Sequence, residues 1–388
     1  MKQVALVFGF FFLLLGCYKP DVVDTETCTY TFPEGNEDHP KHEVYQDIMV
    51  KYRKKGLPGM TVLMEDENGI WVGSEGKADI ENNVDFLPCH PSKAASITKM
   101  MVATLTFMLH EEGKLDIDDP IADYVDDKII RNIKNADQVS IKNCLQHTTG
   151  IYDLITDGEF YLAVLNNPNK HWKAEELARY AFNRDPYFEA NTDAKYSNTN
   201  TLLVSLVLDE VLGFSHAEAL RNRIWCPLTM NDTYYQSREA LPDYVAQGYY
   251  DLYNDGSIVN VSNLITGSGN GYGGVYSTVF DLRKFMRALY YDKTLIEEEH
   301  VEMMQEFEYV DEKLETGVGM LRRFKDVSDH AGVGHSGRDL GYSADLFAFP
   351  TSNDRLMIFF VNYGTDGDTH LRQIFWDFEA EMIRALVE

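Results

Sequence analysis

The chain has 388 residues, enough for one large domain or two closely joined ones, and its 44% hydrophobic content is that of a globular protein with a sizeable core. Asp and Glu outnumber Lys and Arg by 62 to 35, a formal net charge of −27, which excludes nucleic acid as a partner because a polyanion would be repelled. The same imbalance leaves no basic patch for anionic lipid, so any hold on a membrane must come from elsewhere.

Met1 and Lys2 open a short positive region, and the apolar run over 4–15 is too short to span a bilayer and ends in Leu14-Leu15-Gly16-Cys17. Residues 1–16 therefore read as a signal peptide. The Leu-Leu-Gly-Cys ending resembles the lipobox of bacterial lipoproteins, which implies cleavage before Cys17, acylation of that cysteine and a lipid anchor in the bacterial cell envelope. Several acyl chains on one residue would make the attachment stable. Residues 17–42 are polar and acidic, carry Pro20, Pro33 and Pro40, and read as a tether.

With Cys17 lipidated, Cys28, Cys89, Cys144 and Cys226 remain, an even number in a disulfide-permissive compartment whose pairing the sequence does not specify. None forms a close Cys-x-x-Cys pair, and His110 lacks the second histidine of a metalloprotease helix, so neither a metal nor a cofactor is expected.

Residues 43–388 read as the folded domain. Apolar stretches at 60–64 and 70–72 flank Asn68-Gly69 and predict a β-hairpin. Over 95–110, Ile97, Met100, Met101, Leu105, Met108 and Leu109 recur at helical spacing and Gly113 follows, which predicts a helix with Ser96 in its first turn. The middle is mostly helical in pattern, for example over 174–182 and 202–212. Thr278 and Asp281 predict a capping box opening a helix over 282–289. Strand patterns return at 343–349 and 356–361, and a last helix puts Leu371, Ile374, Phe375, Phe378 and Met382 on one face. The expected fold is mixed α/β: an antiparallel sheet flanked by helices, built from both chain ends (about 43–115 and 315–388), plus an all-helical lobe (about 116–314). A cleft between two such lobes is a natural site.

Ser96-Ile97-Thr98-Lys99 is a Ser-x-x-Lys element, and on a helix positions i and i+3 share a face, so the amine can reach the hydroxyl. A serine is a weak nucleophile until a base takes its proton, and a lysine desolvated in a cleft can lose its charge near neutral pH. Ser74-Glu75-Gly76-Lys77 spells the same pattern, but in a strand-and-turn context where i and i+3 point to opposite faces. Tyr196-Ser197-Asn198 and His335-Ser336-Gly337 follow in the sequence, the latter just before a predicted strand. His330-Ala331-Gly332 is a competing match to the last motif.

The order Ser-x-x-Lys, Tyr-x-Asn, His-x-Gly resembles the serine β-lactamase and penicillin-recognising family, in its group of class C β-lactamases, D,D-carboxypeptidases, D-aminopeptidases and related esterases. The resemblance runs from about Gly59 onward, through 113–120, Leu145 to Gly150, 227–230, Gly273-Gly274 with Asp281, and 341–350. It implies the two-lobed fold read above and an acyl-enzyme on Ser96, with Lys99 and Tyr196 sharing the acid and base work. It implies that Asn198 binds a substrate amide or positions Lys99, and that the N–H groups of Ser96 and Arg338 form an oxyanion hole. His335, Ser336, Gly337 and Arg338 then bind substrate.

Where class C β-lactamases usually carry Lys-Thr-Gly, this chain has His335-Ser336-Gly337, which puts antibiotic hydrolysis in doubt; a histidine there can still donate to a substrate carboxylate. The expected function is a serine hydrolase of a small amide or ester, such as a D-amino-acid peptide from peptidoglycan. The alternatives are a class C-type β-lactamase and a catalytically silent envelope binding or scaffold protein.

Other features carry less. Gly269-x-Gly271-x-x-Gly274 spells a dinucleotide fingerprint but follows no parallel-type strand, and reads as a loop at the cleft edge. Tyr272 within it is a candidate substrate wall. His147 reads as a structural hydrogen-bonding residue.

Overall fold

The computed structural model describes residues 24–30, 36–364 and 369–388. The leader and Cys17 lie outside them. Nine antiparallel strands form one sheet in the order Val84–Asp85, Gly69–Asp79, Gly59–Asp66, Arg355–Val361, Tyr342–Phe349, Gly332–Asp339, Leu321–Arg323, Leu314–Thr316, Glu308–Asp311. Both chain ends thus supply one sheet, joined where Met60 faces Val361 and Val62 faces Phe359.

The central strands are apolar nearly throughout because they are covered on both faces. Met60, Val62, Met64, Met357, Phe359 and Val361 pack with Tyr45 and Met49 of the helix His42–Lys54 and with Phe375, Phe378 and Met382 of the helix His370–Val387. The alternate residues Leu63, Leu356, Ile358 and Phe360 face the other way, into the core of the helical lobe. This is the two-residue period of a strand resolved onto two cores. Each such buried side chain contributes roughly 1.5–3 kcal/mol.

The helix Thr98–Glu111 is buried almost all round, as a helix through the centre of a lobe must be. The middle of the chain is not wholly helical: Ser92–Ala95, Val275–Ser277 and Tyr234–Tyr235 form a small sheet, and Tyr249–Tyr250 pairs with Val259–Asn260. Thr278 Oγ1 accepts from the Asp281 N–H at 3.2 Å, opening the helix Val279–Met286, but the Asp281 carboxylate serves Thr233 and Lys284 instead of returning to the cap.

The expected tether is in part bound to the domain. Cys28 is joined to Cys89, Thr25 donates to Asp79 and to the Val245 carbonyl, and the Glu26 N–H bonds to the Asp243 carbonyl at 2.7 Å. Sequence composition signals polarity, and here the polar groups find partners on the fold. Cys144 is buried and Cys226 exposed, both as thiols. Among the described residues no helix is long and apolar enough to cross a membrane.

Candidate active site

The strand Ser92–Ala95 ends in an irregularity against Val275–Ser277, and Ala95 takes φ +46°, which turns the chain sharply into Ser96. The turn is closed by Ile97 N–H to Ala94 O at 3.1 Å and Lys99 N–H to Ser96 O at 2.9 Å. Ser96 therefore stands at the head of the helix Thr98–Glu111, its carbonyl accepting the Lys99 N–H that closes the first turn. Thr98 Oγ1 pins the turn by donating to Ala95 O at 2.7 Å.

Lys99 is 1% exposed, and its Nζ lies 3.0 Å from Ser96 Oγ, 2.8 Å from Asn198 Oδ1 and 2.6 Å from the Tyr272 carbonyl. Burial brings its pKa down to about 7, against the opposing pull of Asp153 and Asp339. A neutral amine has two N–H groups and one lone pair. The amide and main-chain oxygens can only accept, so they take both N–H groups and leave the lone pair for the Ser96 hydroxyl.

Asn198 opens the helix Asn198–Leu212, and its orientation is set from behind: its N–H donates to Asp153 Oδ1 and its Nδ2 to Asp153 Oδ2, each at 3.0 Å. Its Oδ1 is thereby committed to Lys99. Burial pushes the Asp153 carboxyl up to about 6, with the N–H groups of Ile155 and Asn198 holding it from rising further, so it is an anion at neutral pH.

The Tyr196 ring centre is 4.9 Å from Lys99 Nζ and 4.4 Å from the ring of His147. His147 ends the helix Ile141–Gln146 at φ +61°, and its Nδ1 accepts from the Ser197 N–H at 3.3 Å and the Asn200 amide at 3.1 Å. Burial holds it neutral, with its pKa well below the usual value. It is a support beneath Tyr196, in keeping with the structural reading.

The third motif lies on the strand Gly332–Asp339. His335 is 2% exposed and its pKa is driven to about 3, by burial and then by the charge of Lys99. Its Nδ1 sits 2.6 Å from the Ser336 carbonyl, which only accepts, so Nδ1 carries the ring proton and Nε2 presents a lone pair. In this state His335 brings neither a charge nor a second N–H to the site. Ser336 Oγ accepts from Arg323, a cation that the sequence reading missed. At Gly337 an added Cβ would lie 2.0 Å from the Ala94 carbonyl, so only glycine lets this strand lie flush against the segment leading to Ser96. The Arg338 guanidinium is held by Asp345 Oδ1 at 2.8 Å and Glu379 Oε1 at 2.6 Å, leaving its main chain as what it can offer beside Ser96.

Tyr272 is buried, its hydroxyl donates to the Thr266 carbonyl at 2.8 Å, and its own carbonyl holds Lys99. Gly274, at φ +99°, brings the loop back onto Gly269, where a Cβ would come within 2.8 Å of the Gly269 nitrogen. The dinucleotide-like glycines thus serve a tight loop that delivers a carbonyl to the lysine. Of the rival matches, Lys77 pairs with Asp85 and His330 bonds Thr351 Oγ1 at 3.0 Å, outside the cluster. Cys28, Cys89 and His90 lie close enough to hold a metal, but the two sulfurs are joined to each other.

Ser96 borders two cavities. One, of about 30 Å³, is lined by Phe160, Tyr161, Tyr272 and Asp339. The other, of about 420 Å³, carries Tyr196, Asn198 and His335 with Lys313, Arg323 and Arg372. Asp153 was missed because its partner Asn198 is 45 residues away, and the Tyr272 carbonyl because a main-chain role leaves no residue signature.

A family model described as Beta-lactamase matches residues 43–378. Penicillin-binding protein 4* of Bacillus subtilis (strain 168) is 27% identical over 219 residues, covering 51% of this chain and 44% of that protein. Teichoic acid D-alanine hydrolase of Staphylococcus aureus is 24% identical over 251 residues, covering 63% of this chain and 59% of that protein. The chain thus spans about half the length of the curated relatives it matches. The solved D-amino acid amidase from Ochrobactrum anthropi SV3 superposes with TM-score 0.78 at 22% identity, over 89% of this chain and 97% of that one. A D-stereospecific amidohydrolase from Streptomyces sp. gives 0.75 at 24% identity, over 84% and 95%. At these identities the structural likeness shows the fold alone.

Proposed function

The chain belongs to the β-lactamase family, and from that premise we propose that it is a serine hydrolase of the cell envelope that cleaves D-amino-acid amides or esters through an acyl-enzyme on Ser96. The observation that carries this reading is the setting of Lys99, a buried amine whose two acceptor-only partners leave its lone pair on the Ser96 hydroxyl. A scaffold protein would have no use for that arrangement.

In the proposed cycle Ser96 Oγ gives its proton to Lys99 as it bonds to the substrate carbonyl carbon, while the N–H groups of Ser96 and Arg338 receive the developing oxyanion. Tyr196 passes the proton from Lys99 to the leaving nitrogen or oxygen as its bond to carbon breaks. Water then attacks the acyl-enzyme, its proton restores the Ser96 hydroxyl, and the free acid departs.

A D-amino-acid substrate is supported by the names of the relatives, which include a D-alanine hydrolase and a D-amino acid amidase. The smaller cavity suits a small acyl side chain, and the excess of cations over Asp153 and Asp311 around the larger one suits a bulkier, anionic leaving group. β-Lactam hydrolysis in the narrow sense is served less well, because His335-Ser336-Gly337 stands where class C β-lactamases carry Lys-Thr-Gly. The Leu-Leu-Gly-Cys17 ending supports attachment through lipid, and the Cys28–Cys89 disulfide suits an oxidising compartment.

The test is hydrolysis by the full chain and by Ser96→Ala of D- and L-alanine amides, a D-alanyl ester, a D-Ala-D-Ala peptide and a chromogenic cephalosporin. D-Alanine substrates should be turned over fastest, and only by the parent. Cephalosporin turnover at a comparable rate would reverse the ranking.

A further inference from the structure

Away from Ser96 a surface groove runs in two connected lobes, of about 780 Å³ and about 310 Å³, sharing Asn169 and Asn263. These volumes fall within the range of small-molecule sites. In a chain that is 25% charged, the only charged side chains among the described residues that line either lobe are Lys170, Asp24 and Asp243. Amides take their place: Asn167, Asn169, Asn260, Asn263, Gln236 and Gln247.

Two further observations point to a ligand. Gln236 is 6% exposed, lines the inner lobe, and its Oε1 is buried with no hydrogen-bond partner among the described residues. An amide oxygen kept from water and given nothing to accept is destabilising, and a turn of the side chain toward a donor in the groove would relieve it. On the outer lobe Tyr253 is 71% exposed, the most exposed large aromatic among the described residues.

We propose that this groove binds a neutral oligosaccharide, the sugar backbone of an envelope polymer, with Tyr253 beneath one pyranose ring and the Asn and Gln amides on its hydroxyl and acetamido groups. Each sugar hydroxyl both donates and accepts, as does each amide, while the C–H face of the ring is apolar and matches an aromatic plane. A charged polymer would call for lysine or arginine here. The groove also lies on the reverse of the loop that shapes the catalytic cavity: Asn263 and Ile265 face the groove, whereas Thr266, Ser268 and Tyr272 line the space beside Ser96. That the bound polymer carries the D-amino-acyl group cleaved at Ser96 rests on the function proposed above.

The test is calorimetric titration of the full chain with tri-N-acetylchitotriose, maltotriose and tetra-alanine. Either sugar should bind at millimolar concentration or better, and Tyr253→Ala and Asn263→Ala, both at solvent-reached positions, should each weaken binding roughly tenfold or more. Ser96→Ala should bind the sugars as the parent does, so a failure of the hydrolytic reading would leave this result standing. Absence of binding by both sugars, unchanged affinity in both groove variants, or preference for the peptide would overturn the proposal.

Discussion

Ser74-Glu75-Gly76-Lys77 and Ser96-Ile97-Thr98-Lys99 spell one pattern and end in opposite chemical situations. The first lies on the strand Gly69–Asp79, where Ser74 faces Thr61 across the sheet and Lys77, its side chain 33% exposed, is bonded to Asp85 at 2.5 Å. The second straddles a turn and a helix start, so its lysine is buried, held between two carbonyl oxygens and set against its own serine. A four-letter motif becomes a nucleophile and base only where the backbone brings the pair together and burial removes the competing charge state.

The largest effect that tests this contrast is loss of the nucleophile. Ser96→Ala should lower acylation by an activated ester roughly 10⁴- to 10⁶-fold, whereas Ser74→Ala should stay close to the parent. A fluorophosphonate probe read on folded protein checks both, and labelling that survives Ser96→Ala would end the argument.

Next come Lys99→Met and Tyr196→Phe, each expected to cost roughly 10²- to 10⁴-fold in acylation, with the double variant little worse than either because the two handle one proton. For the parent, kcat/KM should rise with pH through about 7, as Lys99 loses its proton and becomes a base. A profile without that limb would remove Lys99 from the base role.

A smaller effect belongs to Asp153, which acts on Lys99 through Asn198 and by its charge. Because that charge raises the Lys99 pKa, Asp153→Asn should move the rising limb to lower pH, together with some loss of rate from a less firmly oriented Asn198. An unmoved limb would leave Asp153 a merely structural acid.

The smallest effect applies the burial rule to a carboxyl group. Burial and the charge of Asp345 raise the Glu379 pKa, against the pull of Arg323 and Arg338, so the fold favours its protonated form. That contribution is complete below the unfolded value and is lost as pH rises through the raised folded value, so unfolding free energy should decline across this window. Glu379→Gln should flatten the decline in denaturant titrations, and an unaltered slope would refute the assignment.

Much of the frame was legible because periodicity reports burial. The face of Leu371, Phe375, Phe378 and Met382, and the strands near 343–349 and 356–361, follow from spacing alone, as does the helix that carries Lys99. What stayed hidden depends on contacts remote in sequence. Asp153 reaches Asn198 across 45 residues, the Tyr272 carbonyl belongs to no side chain, and the neutrality of His335 follows from burial that a His-Ser-Gly triplet does not disclose. The segment around Thr25 misled for a related reason, since polar residues read as solvated until their partners at Asp79 and Val245 are known.

Ala95 keeps a backbone that glycine would adopt without resistance, and a residue bearing a side chain there holds about 1–2 kcal/mol of strain. Glycine would relieve it while adding about 0.4–1 kcal/mol of unfolded-chain freedom, so Ala95→Gly should be neutral or mildly stabilising. The same change would widen the conformations open to the turn that aims the Ser96 hydroxyl. Thermal robustness and turnover therefore pull this position in opposite directions, with alanine giving the stiffer turn and glycine the more relaxed one.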